Sequence, residues 1–197
     1  MCPSSDYPDD FRKCVEFHGH MCPGLAIGYS AVKAAESLMK TTASEDEELV
    51  CLVENNSCAV DAVQVLLGCT FGKGNLIFRD WGKQVFTFYE RGSGRAVRAS
   101  LRQSSPNREA QHELRKKIDS GTATEEDKKR FTKLREDYTK SLVSEPESYF
   151  EVKEIKIDAP PLAQIVDTAP CAICGEQTMV SRMVDRAGSM ICKDCAK

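Results

Sequence analysis

Residues 75–101 read NLIFRDWGKQVFTFYERGSGRAVRASL, and this stretch decides the fold class of most of the chain. Three runs rich in β-branched and aromatic residues predict strands, because such side chains suit a pleated, half-buried surface. The strands are predicted at residues 75–80, 84–90 and 95–101. The two short connections, residues 80–83 and 91–94, contain glycine and predict hairpin turns. The sequence therefore predicts a largely antiparallel sheet.

Helical patterns come before this sheet and make the predicted fold class α+β. Apolar residues recur at helical spacing from Phe11 to Phe17, and Pro23 stands where a helix favours its first residue. Further elements are predicted as a helix at 25–39, a buried strand at 49–53 and a helix at 59–67 that ends at Gly68. Cys14 and Cys51 fall within these apolar patterns, which predicts that both are core residues.

Two amphipathic helices are predicted as an inserted hairpin at residues 104–144. Thr124 and Asp127 resemble a capping box at the start of the second helix. The hairpin holds ten Lys or Arg and eight Asp or Glu, a balance that favours a solvated hairpin over a basic nucleic-acid arm. Its second helix carries an apolar stripe that needs a partner surface. The stripe consists of Phe131, Leu134, Tyr138 and Leu142.

The end of the chain predicts a second, small domain. A strand at residues 149–157 runs into Ala159-Pro160-Pro161, which breaks regular structure and begins a linker. We therefore predict a core domain over residues 1–165 and a cysteine-rich domain over residues 166–197.

The composition of the chain indicates a cytoplasmic protein that does not associate with membranes. The net charge of −3 gives no general attraction to nucleic acid or to an anionic membrane. No apolar run approaches the ~18 residues of a bilayer-spanning helix, and the first ten residues lack the features of an export signal. In a reducing cytosol, the ten cysteines are expected to be metal ligands, nucleophiles or core residues rather than disulfides.

Two Cys-x2-Cys pairs in the last quarter of the chain predict a four-cysteine zinc finger. The pairs, Cys171 with Cys174 and Cys192 with Cys195, are separated by 17 residues. Four thiolates fill a tetrahedral shell, so this zinc is predicted to be structural rather than catalytic. The residues between the pairs offer few large apolar side chains, and the metal must therefore supply the folding free energy.

The segment from His18 to Cys22 predicts a second metal site in the core domain. In an extended chain His18, His20 and Cys22 point to one side, because alternate side chains share a face. Cys22 also precedes Pro23 at a helix N-terminus, where the helix dipole favours the thiolate. The alternatives are a chance His-x-His match and a cysteine that is buried simply as a small apolar residue.

A second cysteine, Cys58, stands at the start of the next predicted helix and could converge on the same pocket. We therefore predict that His18, His20, Cys22 and Cys58 bind one transition metal of unknown identity. Asp61 would orient an imidazole, and Cys69 and Lys73 would line the rim of the cleft. A metal-free thiol site, in which the two helix-terminal cysteines cycle through a disulfide, is the alternative.

Three ordered motifs resemble the FmdE family, whose name comes from an association with formylmethanofuran dehydrogenase. The motifs are FHGHMCPG at residues 17–24, CAVDAVQ at residues 58–64 and GCTFGKGN at residues 68–75. The resemblance covers most of residues 10–165. It implies an α+β core, an intertwined homodimer and a cleft lined by the matching His and Cys positions. Some members of the family carry a C-terminal zinc finger, as this chain is predicted to do.

These patterns favour a metal-binding accessory or regulatory protein, with a metal in the core cleft and a zinc finger that contacts a protein partner. One alternative is an enzyme that uses Cys22 or the cleft metal on a small substrate, related to formylmethanofuran dehydrogenase systems. Another is a zinc-finger regulator that binds nucleic acid, which the charge of the chain disfavours.

Overall fold

The computed structural model of the chain describes residues 6–39, 43–102 and 105–197. Cys2 and residue 104, the first of the predicted hairpin, lie outside the described residues. The chain divides into two compact units, Met1–Leu162 and Ala163–Lys197. No helix among the described ranges has the length and apolar character that crossing a membrane requires.

The first unit contains a five-stranded sheet with the strand order β2-β1-β3-β4-β5. Its strands are β1 Leu49–Val53, β2 Leu76–Phe78, β3 Val85–Glu90, β4 Arg95–Leu101 and β5 Phe150–Ile155. The pair β1–β2 is parallel and the other three pairs are antiparallel. Its helices are α1 Asp9–His18, α2 Pro23–Ala35, α3 Ala59–Leu67, α4 Arg108–Asp119, α5 Glu125–Ser144 and α6 Pro146–Tyr149. The predicted α+β class with a largely antiparallel sheet is confirmed.

The prediction of a hairpin at residues 80–83 is wrong. β1 lies between β2 and β3, and it pairs with β2 in parallel, with Cys51 opposite Leu76. The physical reason is the helix α3, because a helical crossover returns the chain to the end of the sheet where β1 began. All five residues of β1 are buried, which suits the interior of a sheet. The second hairpin, at residues 91–94, is present and pairs Glu90 with Arg95.

The helices form two layers on one face of the sheet. Side chains of α2 and α3 pack directly on the strands, around Phe86 and Phe88. α1 and α5 pack behind α2 in a second apolar cluster that contains Phe11 and Leu142. α2 is therefore covered on both sides, which explains why nine of its 13 residues are buried and why it lacks a polar face. This middle position fixes the N-terminus of α2, where the candidate site lies.

The hairpin of α4 and α5 packs its second helix against this layer. Thr124 and Asp127 form the predicted capping box. The expectation that the whole apolar stripe needs a partner surface is corrected, because Tyr138 and Leu142 are buried in the cluster with α1 and α2 of the same chain. Phe131, nearer the start of α5, is only partly buried and carries the guanidinium of Arg135 over its ring.

The second unit consists of short strands and a 3-10 turn. Its elements are β6 Thr168–Pro170, β7 Gln177–Met179, a 3-10 helix at Val180–Arg182, β8 Val184–Arg186 and β9 Ser189–Ile191. β6 pairs with β7 and β8 with β9, both antiparallel. Cys171 and Ile191 are its only fully buried side chains. Apolar burial on this scale cannot hold a 35-residue unit together without another source of free energy.

Candidate metal centres

The first candidate metal centre lies where three helix ends meet. His18 is the last residue of α1, Cys22 is the N-cap of α2, and Cys58 is the N-cap of α3. One ligand atom from each of the three side chains lies within 4.8 Å of the other two. The helices bring together residues that are 40 positions apart in the chain, and the group has the nitrogen and sulfur donors that transition metals prefer.

Hydrogen bonds orient two of the three ligands. Nδ1 of His18 lies 2.7 Å from Oδ2 of Asp61, on the first turn of α3. The carboxylate accepts from Nδ1–H, which leaves the lone pair of Nε2 directed at the cluster, 3.8 Å from Sγ of Cys22. The backbone N–H of Leu25 donates to the same sulfur at 3.3 Å. Cys22 therefore replaces the usual Ser or Asp as the helix cap.

A metal that binds the core cluster would have to displace the protons of its thiols. Burial raises the pKa of Cys58, and the neighbouring charge of Cys22 and a hydrogen bond to it raise that pKa further. A metal cation would replace the thiol proton and remove the repulsion between two thiolates, as cysteine sites generally require. By contrast, burial raises the pKa of Cys14 and of Cys69 to about 12, so these core thiols are inert.

Gly24 leaves room for the two sulfurs to approach each other. A Cβ atom at this position would lie 3.1 Å from Cβ of Cys58 and 3.7 Å from Sγ of Cys22. The first distance is tighter than ordinary van der Waals contact, so a side chain here would require Cys58 to shift. The sequence prediction did not assign Gly24 a role, although its place two residues after Cys22 was a signal available in the sequence.

The structure does not bring three of the predicted site residues into this group. His20 is exposed and outside the group, although its ring centroid lies 4.5 Å from that of His18. Cys69 and Lys73 follow the C-terminus of α3, whereas Cys58 caps its N-terminus. Nine helical residues separate these ends by about 13.5 Å. Sγ of Cys69 donates to the Leu49 carbonyl, and Nζ of Lys73 donates to the carbonyls of Ser44 and Glu45.

The second candidate metal centre is the four-cysteine cluster of the second unit. The sulfurs of Cys171, Cys174, Cys192 and Cys195 all lie within 4.8 Å of one another and could hold a metal ion. The backbone N–H of Cys192 donates to Sγ of Cys171 at 3.2 Å. Backbone N–H groups of Cys174, Cys192 and Ile173 lower the pKa of Cys171 to about 6. These bonds favour the thiolate, which is the form that binds metal.

Comparisons with known proteins match most of the first unit to a family model and nearly the whole chain to one relative. A sequence model of the family described as "FmdE, Molybdenum formylmethanofuran dehydrogenase operon" matches residues 17–151. The chain is 33% identical, over 98% of its length, to a protein of Archaeoglobus fulgidus named "Probable S-adenosyl-L-methionine-binding protein". The chain spans about half (54%) of the length of that relative.

A solved structure supports the fold. It is described as a tungsten formylmethanofuran dehydrogenase subunit e (FmdE)-like protein from Syntrophus aciditrophicus, and it matches with a TM-score of 0.61 and 23% sequence identity. The match covers 93% of this chain and 88% of that structure. At this level of identity the likeness extends to the fold and not to the site.

Proposed function

Since the chain belongs to the FmdE family, we propose that it is a cytoplasmic metal-binding accessory or regulatory protein. Its core holds a transition metal at His18, Cys22 and Cys58, and its second unit holds a structural zinc. The family description refers to a formylmethanofuran dehydrogenase operon, which is the context in which an accessory role fits.

One observation carries the core metal site. Three donors from three different helix ends converge within 4.8 Å, and the imidazole among them is oriented by Asp61 at 2.7 Å. A carboxylate that fixes the tautomer of a histidine is a recurrent feature of metal sites, since it directs the free nitrogen at the metal. Zinc, nickel, copper and iron all accept imidazole and thiolate ligands.

An enzyme is the second candidate function, and the number of ligands favours it. Catalytic zinc sites use three protein ligands and leave the fourth position to water or substrate. The core cluster supplies three, whereas the tail supplies four and closes its shell. In this alternative His18, Cys22 and Cys58 would hold a metal that supplies Lewis-acid chemistry, whereas in the absence of metal the thiolate of Cys22 would be the nucleophile.

The name of the Archaeoglobus relative does not extend this proposal to S-adenosylmethionine. Nearly half of that relative lies outside the match.

We expect the full chain, purified without added metal, to contain two metal ions per chain. Replacing both Cys22 and Cys58 by serine should reduce the content to one, because serine keeps an oxygen at the Cys22 cap while both thiolates are lost. The matched control is His112→Ala, since His112 is an exposed histidine of α4 outside both clusters. Elemental analysis against protein concentration gives the stoichiometry.

A content of one ion in the unmodified chain would contradict the core metal site. If Cys22 and Cys58 then formed a disulfide that a dithiol reductant reverses, the thiol site without metal would replace it.

The homodimer is a further part of this proposal, and it rests on membership of the family. We expect light scattering at micromolar concentration to give twice the mass of the 21.9 kDa chain. A monomeric mass for the unmodified protein at that concentration would rule the proposal out.

A further inference from the structure

A pocket adjoins the core cluster on the side of α5. Its volume is about 350 Å³, which is near the lower end of the range for small-molecule sites, about 300–1,000 Å³. Its lining includes His20, Met21, Pro23, Phe131, Arg135 and Glu136. One wall comes from the segment that leads into α2, and the other is one face of α5.

The pocket carries two opposite charges side by side and an apolar wall. The guanidinium of Arg135 lies 5.5 Å from the centroid of the Phe131 ring, which holds the cation in place over the aromatic face. Among the described residues, Arg135 and Glu136 form no ion pair with any other side chain. The charge of Glu136 also helps to raise the pKa of Lys133, so a ligand at Glu136 would compete with that attraction, whereas at Arg135 it would displace no ion pair within the described part of the chain.

We propose that this pocket binds a small molecule with an α-amino-acid head group and an apolar side chain. The carboxylate of such a ligand would pair with Arg135, whose planar fork matches carboxylate geometry. Its ammonium group would lie toward Glu136. Met21, Pro23 and Phe131 supply the apolar surface for the rest of the ligand.

Charge balance favours a zwitterion over a ligand with one charge. A plain carboxylate would meet the attraction of Arg135 but also the repulsion of Glu136, and a plain amine would meet the reverse. A zwitterion satisfies both groups, and each charge-assisted hydrogen bond contributes more than a neutral one.

The pocket reaches the cluster through His20. Its ring lines the pocket and lies against the ring of His18, which belongs to the core cluster. A ligand in the pocket would thus lie beside the metal site without being one of its protein ligands. This inference goes beyond the proposed function and does not require the metal.

The test uses three probes that differ only in the head group: L-phenylalanine, 3-phenylpropionate and phenethylamine. The second lacks the ammonium group and the third lacks the carboxylate. Isothermal titration calorimetry of the full chain should show the tightest binding for L-phenylalanine. Arg135→Gln should weaken the binding of L-phenylalanine by about tenfold or more, as loss of a charged hydrogen bond predicts, and should strengthen the binding of phenethylamine, because the cation that repels its ammonium group is gone. Glu136→Gln should weaken the binding of L-phenylalanine and strengthen the binding of 3-phenylpropionate, because the carboxylate that repels it is gone.

Matched controls come from the same helix. Arg130→Gln and Glu126→Gln alter exposed residues of α5 that do not line the pocket, and they should leave the affinity for L-phenylalanine unchanged. The absence of L-phenylalanine binding, or equal affinity in Arg135→Gln, would overturn the proposal.

A last variant distinguishes binding of the ligand in the pocket from binding to the cluster metal. Cys22→Ser/Cys58→Ser should bind L-phenylalanine as the unmodified chain does, because neither cysteine supplies a charge to the pocket. Loss of binding in this variant would mean that the amino acid chelates the cluster metal, and that result would also overturn the pocket assignment. Metal analysis of the same samples reports separately on the proposed core metal.

Discussion

Gly28→Ala is expected to destabilise the first unit by more than about 3 kcal/mol, beyond the usual cost of overpacking a core. A Cβ atom at Gly28 would lie 2.0 Å from the carbonyl oxygen of Ala59 and 2.6 Å from its carbonyl carbon. These are backbone atoms of α3, so no rotamer change relieves the clash and the two helices must separate. α2 is covered on both sides, and its displacement would therefore disturb both apolar clusters.

Urea unfolding, followed by circular dichroism, measures this effect. In a helix without the clash, alanine would be more favourable than glycine by about 1 kcal/mol, so even the sign of the change is informative. Gly92→Ala is the matched control, because nothing lies within 4 Å of the added carbon there. A free energy of unfolding for Gly28→Ala equal to or above that of the unmodified chain would disprove the close approach of α2 and α3.

Loss of metal from the second unit is expected to unfold it completely. Cys171 and Ile191 are its only fully buried side chains, whereas a structural zinc site contributes an apparent 10–16 kcal/mol, roughly, in small finger peptides. Cys174→Ser removes one of four ligands and should leave residues beyond about 168 unfolded, with the first unit intact. Two-dimensional amide NMR spectra of the full chain distinguish the two units.

The control for this experiment is Cys22→Ser, which changes a cysteine of the other cluster and should leave the tail signals dispersed. A tail that keeps dispersed signals after complete removal of metal by a chelator would show that apolar packing alone holds it, contrary to the metal dependence inferred for this unit.

Local patterns predicted the elements of the first unit well, because short-range physics decides them. β1 and α3 have the predicted bounds, and the cap of α5 follows from the spacing of Thr124 and Asp127. Each feature depends on neighbours within a few positions: buried runs for strands, a left-handed glycine after α3 and a hydroxyl before α5.

Long-range order was harder to predict from the same residues. Residues 80–83 contain a turn glycine, Gly82, but turn chemistry does not reveal whether the flanking strands pair with each other. The insertion of β1 between β2 and β3 depends on the packing of α3 against the sheet. That packing involves residues far apart in the sequence, so a short stretch of sequence does not reveal it. The same limit affected the site, where alternation placed His20 beside Cys22, although α1 continues to His18 and turns at Gly19 before the extended segment begins.

The chemistry of the site was more accessible than its geometry. Cys22 and Cys58 were identified from their places at helix N-termini, and the structure brings both into one group with His18. Cys69 and Lys73 share a motif with the family but belong to the opposite end of α3, where Lys73 anchors two backbone carbonyls. The predicted bounds of this helix, 59–67, already separated Cys69 and Lys73 from Cys58 by the length of the helix, so the signal that excludes them from the rim was present in the sequence.

X-ray absorption spectroscopy of the core metal is the sharpest test of the proposed core site. In the full chain with Cys171→Ser/Cys174→Ser, the tail site is disabled and the remaining metal belongs to the core. We expect about one ion per chain, with two sulfur neighbours at ~2.3 Å and at least one nitrogen at ~2.0–2.1 Å if the ion is zinc. Adding His18→Ala should remove a nitrogen from this shell. A protein that retains no metal, or a metal shell without sulfur, would contradict a core metal held by His18, Cys22 and Cys58.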